Sequence, residues 1–95
     1  MILLVSYDLQ SPNKNYDDLY ATLKTAEFWW HYLKSTWLLC TNESVDAWQK
    51  KIKAVIDNND NFIVVDITGR TRNGWLPKKA WEWIRNHENP PSQNS

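Results

Sequence analysis

The 95-residue chain predicts an α+β fold, with elements in the order β-α-β-β-α-β and an additional helix at the C-terminal end. Three observations lead there. Short runs of β-branched and aromatic residues alternate with stretches whose apolar residues recur every third or fourth position, so strand and helix periods take turns along the chain. Only Lys34 and Ser35 separate the two middle strand patterns, which asks for a tight antiparallel connection. Clusters of Asn, Asp, Pro and Gly mark other junctions.

Residues 2–7 form a continuous apolar run rich in β-formers, stopped by Asp8 and a turn-forming stretch from residue 10 to 13, which predicts a central strand and a loop. Tyr16, Leu19, Tyr20 and Leu23 then recur at helical spacing. Asn15 is the N-cap candidate, and Asp17 and Asp18 suit the positive end of the helix dipole. Residues 28–33 and 36–41 read as the second and third strands. Alternation places Trp29 and His31 on one face and Phe28, Trp30 and Tyr32 on the other, so both indoles of the pair are core only if both faces are covered.

Ser44 is a natural N-cap for a second helix, with Val45, Trp48, Ile52, Val55 and Ile56 on one stripe. Residues 57–61 are a turn by composition, and 62–68 a fourth strand in which Ile63, Val65 and Ile67 alternate with the more polar Asp66 face. A polar loop from Gly69 to Gly74 leads to Pro77, which suits a first helical turn, and Ala80, Trp81 and Ile84 share a face of a short helix over 77–86. This order is the split βαβ, or ferredoxin-like, pattern: a four-stranded antiparallel sheet with two helices on one face. The other face then needs cover from a second copy, a ligand or the C-terminal helix. Residues 1–87 make a single domain, and 88–95, with two prolines and no apolar side chain, a disordered tail.

Eleven basic and eleven acidic residues cancel, which argues against a general grip on long duplex nucleic acid. The charge is nonetheless segregated: Arg70, Arg72, Lys78, Lys79 and Arg85 share a stretch with a single acid, Glu82. Cys40 is the only cysteine, so no intrachain disulfide can form, and neither a structural zinc site nor another cofactor is expected. The N-terminal apolar run is too short for a signal peptide, and a cytoplasmic protein without a membrane segment is expected.

Seven tryptophans are the most unusual feature, bunched at Trp29, Trp30 and Trp37 and again at Trp75, Trp81 and Trp83. One reading is that they fill the core or a dimer interface. The other is that some stack on a planar ligand, nucleobases above all.

The motif Tyr7-Asp8-Leu9, the tyrosine-led helix, Ser35-Thr36-Trp37 and Asn59-Asp60 resemble the small CRISPR adaptation subunit, the Cas-two family, over residues 1–68. Along nearly the whole chain, YDL at 7–9, WWHYL at 29–33, STW at 35–37 and GWLP at 74–77 are closer still to the bacterial SinR-like proteins; virulence-associated protein D is a more distant likeness. The resemblance implies a ferredoxin-like homodimer. In nuclease members the aspartate ending the first strand binds a divalent metal beside its symmetry mate, and Asp8 is the matching residue. Two departures stand against that role: the aromatic second strand, and a Trp-rich terminal helix where those proteins have another strand.

These residues favour a non-catalytic binding module for a nucleotide-like ligand, such as a cyclic or oligonucleotide immune signal. In a phage it would be a sponge that evades host immunity, and in a bacterium a sensor in anti-phage defence. Trp29 or Trp30 with Trp75 stacks the base, Arg70, Arg72 and Lys78 hold phosphates, and His31, Ser35 or Thr36 read polar edges. The alternatives are an Mg²⁺-dependent nucleic-acid phosphodiesterase centred on paired Asp8, and a protein–protein interaction module using the Trp surface. No Ser-His-Asp or Cys-His order in a recognised local context, and no glycine-rich phosphate loop, supports covalent catalysis or nucleotide hydrolysis.

Overall fold

Strand β1 (Ile2–Asp8) occupies the middle of a four-stranded antiparallel sheet ordered β2-β3-β1-β4, as its apolar residues on both faces require. The computed structural model describes residues 1–10 and 15–88. Around β1 the chain builds α1 (Asp17–Leu23), β2 (Phe28–Leu33), β3 (Thr36–Cys40), α2 (Val45–Lys53), β4 (Asn61–Asp66) and α3 (Lys78–Glu88). This is the expected ferredoxin-like arrangement with its extra C-terminal helix.

Both sheet faces carry a core. On one, Leu3, Val5 and Tyr7 of β1 and Trp37 and Leu39 of β3 pack against Leu19 and Leu23 of α1 and Trp48 and Ile52 of α2. On the other, Ile2, Trp30 and Leu38 pack against Ala80 and Ile84 of α3, with Trp81 and Trp83 half-buried alongside. Each large apolar side chain buried this way stabilises the fold by about 1.5–3 kcal/mol, so the second cluster holds α3 on the sheet. Cover by α3 is partial: Ile63 and Val65 of the edge strand β4 stay 58% and 39% exposed.

Several boundaries differ from those expected. β1 continues through Asp8, β3 stops at Cys40, and β4 spans Asn61–Asp66, after which Ile67 N–H still donates to the Ile2 carbonyl. In β4 it is Phe62 and Val64 that turn toward the helices. The N-cap of α1 is Tyr16 with no side-chain cap, while Asn15 Oδ1 accepts from Asp17 N–H at 2.8 Å. Ser44 caps α2 as expected, its Oγ accepting from Ala47 N–H at 3.1 Å. Helix α3 runs two residues past Asn86 and includes Glu88; residues 89–95, the rest of the stretch expected to be disordered, lie outside the described residues.

Strand β2 is irregular near its end. Its pairing passes from Trp30 opposite Leu38 to Leu33 opposite Thr36, so β2 carries one residue more than β3 across that interval. The bulge breaks strict alternation after His31 and brings Leu33 beside Thr36 on the α3 side. Among the described residues, no helix is long and apolar enough to cross a membrane.

Candidate ligand-binding cleft

Between α1 and β2, on the face covered by α1 and α2, the chain assembles an aromatic cleft of about 250 Å³ lined by Tyr20, Lys24, Trp29, His31 and Trp37. Its floor is Trp37, fixed by burial on β3 and by an Nε1–H bond of 3.0 Å to the Tyr7 hydroxyl. The His31 imidazole stacks on that indole at 4.1 Å and 15° between planes, and Trp29 tilts against it at 5.2 Å and 45°. Tyr20 closes the helix side at 6.3 Å, nearly parallel to Trp37. The Lys24 ammonium stands 5.4 Å from the Trp29 ring centroid, within the range of a cation–π attraction.

Local geometry holds these groups in place. His31 Nε2–H donates to the Lys34 carbonyl at 3.2 Å, bracing the tight turn between β2 and β3. From β1, Tyr7 N–H donates to the Ser35 carbonyl of that turn at 3.0 Å. Burial pushes the Tyr7 phenol above the usual tyrosine value; the Trp37 N–H bond opposes that shift and nearby Tyr20 adds to it. Trp29 is 41% exposed and His31 and Lys24 are exposed too, so the cleft has a ready-made mouth.

The residues expected to share one site do not converge within the chain. Trp29 and His31 join the cleft, but Trp30 faces the opposite side and is buried against α3. The reason is the strand period of two: neighbours cannot share a face. Trp75 projects fully into solvent from the loop leading to α3, the helix that covers the face opposite Trp29, so the two do not form one wall. Thr36 Oγ1 hydrogen-bonds Ser6 Oγ at 3.1 Å on the α3 side. Arg72 is held by Glu88, with Nη1–Oε2 and Nη2–Oε1 distances of 2.7 and 2.8 Å, so its charge is already matched. Arg70 and Lys78 are exposed on the same loop and the start of α3.

Asp8 is exposed at the end of β1 opposite Asn61, and lines a shallow depression with Ser6 and Ile63. No three His, Cys, Asp or Glu side chains among the described residues gather to hold a metal ion. Among the described residues of one chain, the donor set for a metal at Asp8 is therefore not assembled.

Tyr20, Lys24 and Trp37 complete the cleft without having been singled out from sequence as ligand residues. A signal was there: Tyr20 of α1 and Lys24, the residue capping that helix, are four apart, and Trp37 lies two positions from Leu39, the cross-strand partner of Trp29. Turning those spacings into a site needed the β2–β3 register. No family model, curated protein or solved structure matches the chain.

Proposed function

We propose that the chain is a binding module for a nucleotide-like ligand, seated in the cleft between α1 and β2. The observation that carries this reading is the meeting of three packed aromatic groups, Trp29, His31 and Trp37, with the Lys24 ammonium at their rim. A planar base gains stacking energy on the exposed part of Trp29, and an anionic group finds Lys24 beside it. At about 250 Å³ the cleft falls below the roughly 300–1,000 Å³ of sites that enclose a whole drug-sized ligand, so it takes one base and leaves sugar and phosphate at the mouth. A cyclic or linear oligonucleotide signal offers such a base. Relative to the sequence expectation, Lys24 takes over the phosphate role from Arg72, and Trp37 replaces Trp30 and Trp75 behind the ring.

AMP is the probe, with adenosine and ribose 5-phosphate as its two halves. In titration calorimetry, Trp29→Ala should weaken AMP binding by about 1–3 kcal/mol, the usual worth of one base–aromatic stack. Lys24→Ala should cost about 1 kcal/mol for AMP and nothing for adenosine, since an exposed ion pair is largely screened. Both variants should keep the wild-type melting temperature. The reading falls if AMP, a cyclic dinucleotide and a short oligoadenylate all fail to bind the wild type at millimolar concentration.

A homodimer belongs to the same reading. Among the described residues, Ile63 and Val65 leave an apolar, unpaired edge on β4, the kind of strand edge that chains usually cover. Light scattering at micromolar concentration should give twice the chain mass; the chain mass itself would remove the dimer.

A further inference from the structure

Strand β4 ends the sheet order β2-β3-β1-β4, so among the described residues one of its sides has no neighbour. Its pairing with β1 shows which backbone groups face that free side. Ile67 N–H donates to the Ile2 carbonyl, and the same register sets Val65 opposite Leu4 and Ile63 opposite Ser6. In an antiparallel ladder the N–H and C=O of one residue point the same way and those of the next point oppositely. The backbone groups of Phe62, Val64 and Asp66 therefore point away from β1. Their side chains share the helix face, where Phe62 and Val64 join the core, while Ile63 and Val65 stay 58% and 39% exposed on the other. Along this edge, on the helix face, runs an open groove of about 410 Å³ lined by Val45, Asp46, Gln49 and Lys53 of α2 and by Phe62 and Val64.

We propose that β4 pairs with β4 of a second copy of the chain, antiparallel about a two-fold axis through Val64, so that the two sheets become one. This rests on the homodimer reading above and fixes where its axis lies; it is independent of the nucleotide cleft. An axis perpendicular to the sheet keeps the helices of both copies on one face, so residues that face each other must share a side, which a pairing centred on a residue satisfies. With Val64 on the axis, the outward backbone groups of Phe62, Val64 and Asp66 meet those of the partner's Asp66, Val64 and Phe62. Ile63 then lies opposite the partner's Val65, and the exposed apolar side chains cover each other. Charge selects a second copy over an unrelated strand. Helix α2 ends at Lys53 and the chain returns at once to Asn61, which puts Lys53 at the Phe62 end of the groove and Asp46, about two turns back, at the other. The two-fold reverses that order, so Lys53 receives the partner's Asp66, opposite Phe62, and the acidic end of the partner's groove. Among the described residues, none of Asp46, Lys53 and Asp66 is in an ion pair within the chain.

Cross-linking reads the register directly. Ile63 and the partner's Val65 form a non-hydrogen-bonded pair with Cα atoms about 4.5 Å apart, within disulfide reach. Mild oxidation of the double variant Ile63→Cys/Val65→Cys should give a covalent dimer on a non-reducing gel. Ile63→Cys alone should not, because its own copy lies diagonally, about 7–8 Å away. In sedimentation equilibrium, Lys53→Glu should raise the dimer dissociation constant about tenfold, the sum over two symmetric and partly screened contacts. Lys53→Glu combined with Asp66→Lys should restore it. A wild type of single-chain mass in light scattering would remove the homodimer and this arrangement together. A wild-type dimer whose double cysteine variant does not cross-link, or whose assembly ignores Lys53→Glu, overturns the β4 pairing and leaves the homodimer standing.

Discussion

Arg72 and Glu88 form a two-point ion pair, 2.7 and 2.8 Å long, that ties the loop after β4 to the last residue of α3. Gly69, at φ 68°, turns the chain so that its own N–H reaches the same carboxylate. Arg72 also donates to the carbonyls of Ile67 and Arg70, each at 3.2 Å. A guanidinium so fully engaged holds α3 over the sheet, and within the basic stretch the Arg72 charge is matched by Glu88 rather than left open to an anion.

Arg72→Ala and Glu88→Gln should each destabilise the protein by about 1–2 kcal/mol, a charge-assisted pair discounted for its partial exposure. The double variant should cost little more than either single one, because both remove the same contact. Urea unfolding of the four proteins checks this, and additive losses would mean the two residues act separately.

Acid should weaken the same clasp. Hydrogen bonds from Arg72, aided by Gly69 N–H, hold the Glu88 carboxyl below the usual glutamate value. A depressed folded-state value gives stability that is present above the unfolded pKa, about 4.3 for glutamate, and lost as pH falls through the folded one. The wild type should therefore lose more stability than Glu88→Gln as pH is lowered through and below that ordinary glutamate value. Parallel melting curves for the two proteins would contradict it.

Tyr7→Phe leaves the buried Trp37 Nε1–H without its acceptor and should cost about 1–3 kcal/mol. Alkaline pH probes the same pair. Burial raises the Tyr7 phenol above its ordinary value, so its contribution is complete below about pH 10 and is lost as pH rises through the folded value. Wild-type stability should fall over that window, and Tyr7→Phe should show a shallower fall in chemical unfolding. An equally steep fall in both would place the titration elsewhere.

Asp60→Asn should destabilise by about 2–3 kcal/mol. The buried Asp60 carboxylate accepts from Gln10 N–H at 2.7 Å, Tyr16 hydroxyl at 2.8 Å and Asp57 N–H at 2.8 Å. An amide offers one oxygen where the carboxylate offers two, so at least one of these donors must lose its partner. Thermal unfolding measures the loss, and a neutral outcome would mean the junction of β1, α1 and β4 re-forms without the charge.

The Phe28–Leu33 strand was legible because its faces carry different neighbours: Trp29 and His31 could be separated from Trp30 by counting in twos. Strand β4 was not, since Phe62, Ile63, Val64 and Val65 are apolar in both alternating sets, and only pairing with β1 decides which set turns inward. The expected phosphate role of Arg72 rested on charge density. Its partner is sixteen residues away in the last turn of a helix expected to end earlier, so no local pattern could reveal the pair.

By itself the sequence determined the succession of strands and helices, the cap at Ser44, the tight turn at Lys34-Ser35 and the opposite facing of Trp29 and Trp30. These follow from backbone periodicity and from side chains bonding within a few residues of themselves. Only the tertiary structure decided which tryptophans are buried, that Tyr20, Lys24 and Trp37 complete a cleft with Trp29 and His31, and that the Trp30 N–H is left without an acceptor among the described residues. Those outcomes depend on strand register, a one-residue bulge and the docking of α3, where residues far apart in the chain compete for the same space and the same hydrogen bonds.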